Sequence, residues 1–115
     1  MNRRAIIYAL VIATCSTACS KRLAVPDENA ATLKASELIQ KYELTSDRIE
    51  CLAFEISDEG KDFLVRVREN HTPKCGGDPM VGPTLFFMTI RKSDGYALTT
   101  DYDSENYLPL REPKH

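Results

Sequence analysis

The sequence lacks several features by which a function is often recognised. It has no paired Cys or His spacing of the kind that holds structural zinc, no internal repeat and no low-complexity tract. The apolar run from Ala5 to Ala13 is too short to cross a membrane, which takes about 20 residues. No basic stripe is present and the formal net charge is −2. These absences argue against zinc-finger, solenoid, membrane-spanning and nucleic-acid-binding proteins.

The N-terminal segment has the layout of a secretory signal peptide. Arg3 and Arg4 precede the apolar run, small residues follow it, and Lys21 and Arg22 come next. This order of cationic, apolar and small-residue regions is typical of a leader that is removed on export. We therefore expect the mature chain to fold in an oxidising compartment.

The end of this segment, "STAC" (residues 16–19), resembles the lipobox of bacterial lipoproteins, which signal peptidase II cleaves before a Cys that is then lipidated. Ala18 suits the cleavage position, whereas Ser16 stands where the family prefers Leu. Cys15 fits less well, because Thr14 would precede it. The resemblance implies a signal peptide at residues 1–18, lipidation of Cys19 and a tether at residues 19–27.

The same resemblance implies a location. Ser20 follows the Cys where retention in the inner membrane typically uses Asp. Lipoproteins of this kind are then expected in the bacterial outer membrane, facing the periplasm. Stable anchoring takes more than one acyl chain, which such lipoproteins carry. The expected partners are the membrane, through the lipid anchor, and a periplasmic protein, but not nucleic acid.

Cysteine use points to one disulfide. Of the four Cys, Cys15 would leave with the signal peptide and Cys19 would carry the lipid. We predict that Cys51 and Cys75 pair, which closes a loop of about 25 residues and stabilises the fold by about 3 kcal/mol. A free nucleophilic thiol and a metal ligand are the alternatives for these two residues.

Hydrophobic periodicity predicts one helix followed by strands. Between Glu28 and Tyr42, apolar residues recur at helical spacing, with Asp27 as the N-cap. Alternating segments at 49–57 and 62–69 form a first predicted hairpin around Gly60, and residues 84–92 and 96–100 form a second around Asp94-Gly95. The predicted fold of residues 28–115 is α+β, with one N-terminal helix packed on a four-stranded antiparallel meander and one disulfide.

The order of elements from Ala31 to Asp101 is similar to small periplasmic domains of the PepSY type and to cystatin-like folds. The likeness rests on the helix, the alternating strands and "IRKSDGYALTTD" (residues 90–101). The stretch Cys75–Pro79, followed by Pro83 and Leu85-Phe86, also resembles a segment of small uncharacterised bacterial lipoproteins. That resemblance implies no particular activity and no cofactor.

Two segments gather residues capable of chemistry. His71, Cys75 and Asp78 could form a Cys/His nucleophile or, with His115, a metal site. Acidic residues also occupy four positions of a calcium-loop count near the C-terminus, although Asn106 stands where that loop needs Gly. These four are Asp101, Asp103, Glu105 and Glu112. In both segments we favour a non-catalytic, metal-free connection.

A contact surface is the remaining hypothesis. Arg66, Arg68 and Arg91 could line one sheet face as a cationic patch, and His71 and Asp78 lie in a Gly- and Pro-rich connection that a partner could touch. We therefore expect a non-enzymatic binding or envelope-maintenance protein. The alternatives are an inhibitor or immunity protein that blocks a cell-wall hydrolase, and an enzyme that uses the His71/Cys75 region.

Overall fold

The structure is a computed structural model that describes residues 22–114. The predicted signal peptide, the predicted lipidation site at Cys19 and His115 lie outside these residues. Within the described residues, one helix packs on a single antiparallel sheet, which confirms the α+β prediction, and the sheet has five strands rather than four. Within the described part of the chain, no helix is both long and apolar enough to span a bilayer.

Helix α1 spans Glu28–Tyr42, as the periodicity predicts. The Asp27 side chain accepts the N–H of Ala30 and so caps the first turn. Glu43 ends the helix in the left-handed conformation, with its N–H bonded to the Ile39 carbonyl. Leu33, which does not fit the apolar stripe, is 72% exposed on the outer surface.

The strands follow in sequence order across the sheet. A short 3-10 turn, Ile49–Cys51, leads into β1 (Leu52–Asp58), which pairs with β2 (Asp62–Glu69). Next come β3 (Thr84–Arg91), β4 (Ala97–Thr99) and β5 (Leu108–Pro109). The first predicted strand thus begins at Leu52, because residues 49–51 turn instead of extending.

The fifth strand is not predicted by the sequence. It has two residues, pairs with β4, and places Leu108 opposite Thr99. The segment contains Pro109 and reads as a polar tail, so neither alternation nor length marks it as a strand. Pairing at the sheet edge, and not local propensity, makes it extended.

The core lies between α1 and the inner face of the sheet. Alternate residues of β2 and β3 point toward the helix and are fully buried, as the period-2 pattern requires. They are Phe63, Val65, Val67, Phe86, Met88 and Ile90. Ala31 and Ala35 bring the helix close to this face, and neither residue is exposed.

The fold begins before the helix. Val25 is 1% exposed, and its N–H donates to the Lys92 carbonyl at 3.0 Å. Ala24 makes the same kind of bond to Ser93. The last residues of the predicted tether are therefore part of the folded unit, packed on the turn between β3 and β4.

Candidate functional site

Residues 71–83 connect β2 to β3, and we call them the Cys75 loop. Its base is closed by backbone hydrogen bonds: Glu69 donates to the Pro83 carbonyl, and Asn70 donates to the Cys51 carbonyl at 2.8 Å. The predicted Cys51–Cys75 disulfide is present, with the two Cα atoms 5.7 Å apart. The loop is thus joined covalently to the turn that precedes β1.

The disulfide excludes a free nucleophilic thiol at Cys75. Cys75 carries no free thiol while it is bonded to Cys51, so a Cys75 nucleophile activated by His71 is not available in this structure. Within residues 22–114, moreover, no three His, Cys, Asp or Glu side chains come together as metal ligands.

His71 connects the tip of the loop to the end of β2. Its Nδ1 lies 2.8 Å from the Asp78 carbonyl oxygen, and its Nε2 lies 2.5 Å from a Glu69 carboxylate oxygen. Both partners are acceptors, so only the protonated ring, which donates from both nitrogens, satisfies the pair. The Glu69 carboxylate, followed by the Asp78 carbonyl, raises the pKa of His71. The side chain is only 15% exposed.

Gly77 makes this arrangement possible. Its φ is +87°, and a Cβ at this position would lie 2.8 Å from the His71 ring. A side chain at residue 77 would therefore both strain the backbone and displace the imidazole. At the far end of the loop, a Cβ on Gly82 would meet the Arg68 guanidinium at 2.5 Å.

Asp78 shapes the tip of the loop. Its side chain accepts the N–H of Met80 at 2.9 Å, and its carbonyl accepts the N–H of Val81 at 3.2 Å. The result is a tight turn whose apolar residues point outward: Met80 is 86% exposed and Val81 is 52% exposed. Exposed apolar side chains on a fastened loop are typical of protein contacts, because little conformational entropy is lost on binding.

The sequence predicts His71 and Asp78 as contact residues and gives no such prediction for Met80 or Val81. The structure places His71 and the Asp78 carbonyl inside the loop, where they fasten it, and places Met80 and Val81 at its surface. The usable signal was a pair of apolar residues between Pro79 and Pro83, in a loop too polar to bury them.

Arg66 and Arg68 lie on the outer face of the sheet, as the alternation of β2 predicts. Both reach Glu55 on β1: Arg66 at 3.0 Å, and Arg68 Nε at 2.8 Å from the second carboxylate oxygen. The Arg68 contact is ionic, because its buried Nε is not aligned for a hydrogen bond. Burial pushes the pKa of Glu55 upward, but the Arg66 hydrogen bond and both cationic charges outweigh it, and the pKa is lowered.

Arg91 is not part of this group. It lies at the other end of β3, opposite Asp62 in the register, and makes two hydrogen bonds to Asp94. The three arginines therefore do not form one patch. Arg68 instead extends toward the loop, where its Nη1 lies 3.5 Å from the Gly82 carbonyl. Arg68 thus links the outer sheet face to the Cys75 loop.

A cleft of about 380 Å³ lies beside the disulfide. Arg48 and His71 line it together with Asp47 and Glu69, so positive and negative groups are balanced. The guanidinium of Arg48 lies 3.9 Å from the Cys51 sulfur. Balanced charge in an open cleft gives no selectivity for an anion or a cation.

The acidic C-terminal segment is a turn. Asp103 accepts the Glu105 N–H with one oxygen and the Asn106 side-chain amide with the other. These two bonds, with that of Asn106 first, lower the pKa of Asp103. Both carboxylate oxygens of Asp103 therefore already accept hydrogen bonds from neighbouring residues.

Similarity to known proteins gives no further assignment. The chain matches no protein-family model, no curated protein and no solved structure.

Proposed function

We propose that this chain is a non-enzymatic, protein-binding module of the bacterial envelope. It is held on the periplasmic side of the outer membrane by a lipid on Cys19, and it presents the Cys75 loop to a protein partner. The lipobox-like "STAC" supports the anchor. The single observation that carries the binding role is the exposure of Met80, at 86%, on a loop fastened through Cys75 and His71.

The fastening matters because it lowers the entropic cost of binding. Ordering one long side chain or loop residue on association costs about 0.5–1.5 kcal/mol. The disulfide, the His71 contacts and the Asp78 turn already fix the backbone of the loop. The apolar area of Met80 and Val81 can then contribute to affinity at about 25 cal/mol per Å² buried, with little offset.

The binding test compares two exposed apolar sites. Full-length chain carrying Met80→Ser and Val81→Ser is used to recover partners from bacterial envelope extract, beside wild type and a Leu33→Ser control. Leu33 is 72% exposed on the helix surface, outside the loop. We expect a partner to be recovered by wild type and by Leu33→Ser, and to be lost with the loop variant. Equal recovery by all three chains would contradict the proposal.

The anchor is tested separately. We expect Cys19→Ala to abolish metabolic labelling with a radioactive fatty acid and to release the chain from the membrane fraction, whereas Cys15→Ala should change neither. Labelling that persists in Cys19→Ala would reject lipidation at this position.

A second candidate function is inhibition of a cell-wall hydrolase. The convex shape of the tip favours it, since Met80 and Val81 protrude from a turn held by Asp78 and could enter an active-site cleft. In that case the recovered partner should hydrolyse purified peptidoglycan, wild-type chain should slow the hydrolysis, and the Met80/Val81 variant should not. A partner without such activity would leave the general binding role and remove this one.

A further inference from the structure

The two edges of the sheet differ. At one edge, β5 has two residues and includes Pro109, which has no N–H to offer a neighbour. At the other edge, β1 has seven residues, contains no Pro and pairs with β2 without a bulge. Long, regular edge strands are usually blunted, because their free backbone groups pair readily with other chains. β1 is neither short nor interrupted by Pro or a bulge, so its backbone is open to pairing.

The register identifies the groups that face the open edge. The Cys51 carbonyl accepts the Asn70 N–H, and Glu59 donates to the Asp62 carbonyl, at the two ends of the β1–β2 ladder. In an antiparallel pair, residues that exchange hydrogen bonds with one neighbour alternate with residues that face away. The odd-numbered residues of β1 therefore bond to β2. The N–H and C=O groups of Phe54 and Ile56 point outward, and no residue within 22–114 pairs with them.

The side chains of this edge also suit pairing. Phe54 and Ile56 lie on the inner face and are half-buried against the core, since no further strand covers them. Glu55 points to the outer face, where a lone carboxylate would repel a neighbouring strand. Its charge is instead compensated by Arg66 and Arg68 of β2, at 3.0 and 2.8 Å.

We propose that β1 pairs antiparallel with β1 of a second copy of this chain, with Phe54 opposite the same residue of the second copy. To form hydrogen bonds, residues whose backbone groups face the open edge must lie opposite each other in the two copies. Near the middle of β1 this allows three registers, centred on Phe54, Glu55 or Ile56. Centring on Phe54 places Leu52 opposite Ile56 on the inner face and Ala53 opposite Glu55 on the outer face. All inner pairs are then apolar.

The other two registers are disfavoured by charge. Centring on Glu55 places Leu52 opposite Asp58, so that an apolar side chain of the inner face meets a carboxylate. Centring on Ile56 places Phe54 opposite Asp58, whose carboxylate is already bonded to Lys92 and to the Gly60 N–H. The strand is therefore self-complementary in one register, and the pairing would join two five-stranded sheets into one continuous sheet with the exposed edge of Phe54 covered.

Photo-crosslinking tests the register in the full-length chain. p-Azidophenylalanine at position 54 differs from Phe only by the azide, and the same residue at exposed Leu33 is the control. On irradiation we expect a covalent species of twice the chain mass from position 54 and none from position 33, with the cross-link mapping to residues 52–56 of the second copy. Absence of that species, or a cross-link to another surface, would overturn the proposal.

Main-chain pairing is tested with a second pair of variants. The N–H of Ile56 faces the open edge, so Ile56→Pro removes no hydrogen bond within the chain, while Ile56→Ala loses side-chain packing and keeps the N–H. In co-purification of two differently tagged copies, we expect association with Ile56→Ala and at least a tenfold loss with Ile56→Pro. Association retained by the Pro variant, or lost by both, would reject pairing through β1. The photo-crosslinking variant at position 54 carries no Pro, so it tests pairing through β1 even if Ile56→Pro fails to fold.

Discussion

The two connections that flank β3 are held in different ways. The turn from β3 to β4 is closed by side chains of its own residues: Arg91 bonds to Asp94, and the Asp94 carboxylate accepts the Tyr96 N–H. Its outer carbonyls also accept the N–H groups of Ala24 and Val25. The Cys75 loop is fastened by residues far apart, with Cys51 24 positions from Cys75 and Arg68 14 from Gly82. The turn can therefore close through its own side chains, whereas the Cys75 loop needs a covalent partner from another part of the chain.

Removing the disulfide should have the largest effect on the Cys75 loop. A Cys51→Ala, Cys75→Ala double variant should lower the free energy of unfolding by about 3 kcal/mol, because the denatured chain regains the entropy of an open loop. Urea unfolding followed by circular dichroism measures the change. The Arg91–Asp94 turn should keep its amide chemical shifts in the folded double variant, because its hydrogen bonds involve neither Cys51 nor Cys75. An unchanged urea midpoint would contradict the role given to the disulfide.

Two adjacent glycines of the loop separate the effect of backbone strain from that of side-chain packing. Gly76 and Gly77 both have positive φ, but a Cβ on Gly76 meets nothing within 4 Å, and one on Gly77 meets the His71 ring. Gly76→Ala should cost only the backbone strain, about 1 kcal/mol. Gly77→Ala should cost about 2 kcal/mol, since it also overpacks the imidazole. Urea midpoints of the two variants measure the difference, and equal midpoints would mean that His71 packing adds nothing.

The same contrast explains what the sequence could predict. Helix α1 and the turn at Asp94-Gly95 depend on nearby residues, so periodicity, the Asp27 cap and turn chemistry were sufficient. The disulfide followed from counting, because only two Cys remain after the predicted leader and lipid are assigned. The helix and the turn follow from nearby residues, and the disulfide follows from the number of Cys in the chain.

The internal fastening of the loop could not be predicted in this way. That His71 contacts both Glu69 and Asp78 depends on the path of the chain after Asn70, which the Gly conformations and the disulfide determine together. The same holds for the separation of Arg91 from Arg66, which requires knowing where each residue lies along its strand. The strand β5 was missed for a related reason, because only β4 makes Leu108–Pro109 extended.

The smallest expected effect is a pH response of opposite sign in the two connections. The pKa of His71 is raised in the folded state, so its contribution to stability is complete below the unfolded pKa of about 6.5 and is lost as pH rises through the higher folded value. The pKa of Asp94 is lowered, chiefly by its hydrogen bond to Arg91. Its contribution to stability is therefore present above about pH 3.8 and is lost as pH falls toward the folded pKa.

Amide hydrogen exchange, corrected for the intrinsic effect of pH, measures both responses. We expect the Val81 amide to lose protection above neutral pH, and the Gly95 amide, which donates to the Arg91 carbonyl, to lose protection only in acid. His71→Gln should abolish the first change and leave the second, because the Gln side chain does not titrate; a loop response that persists in this variant would assign the titration to another group.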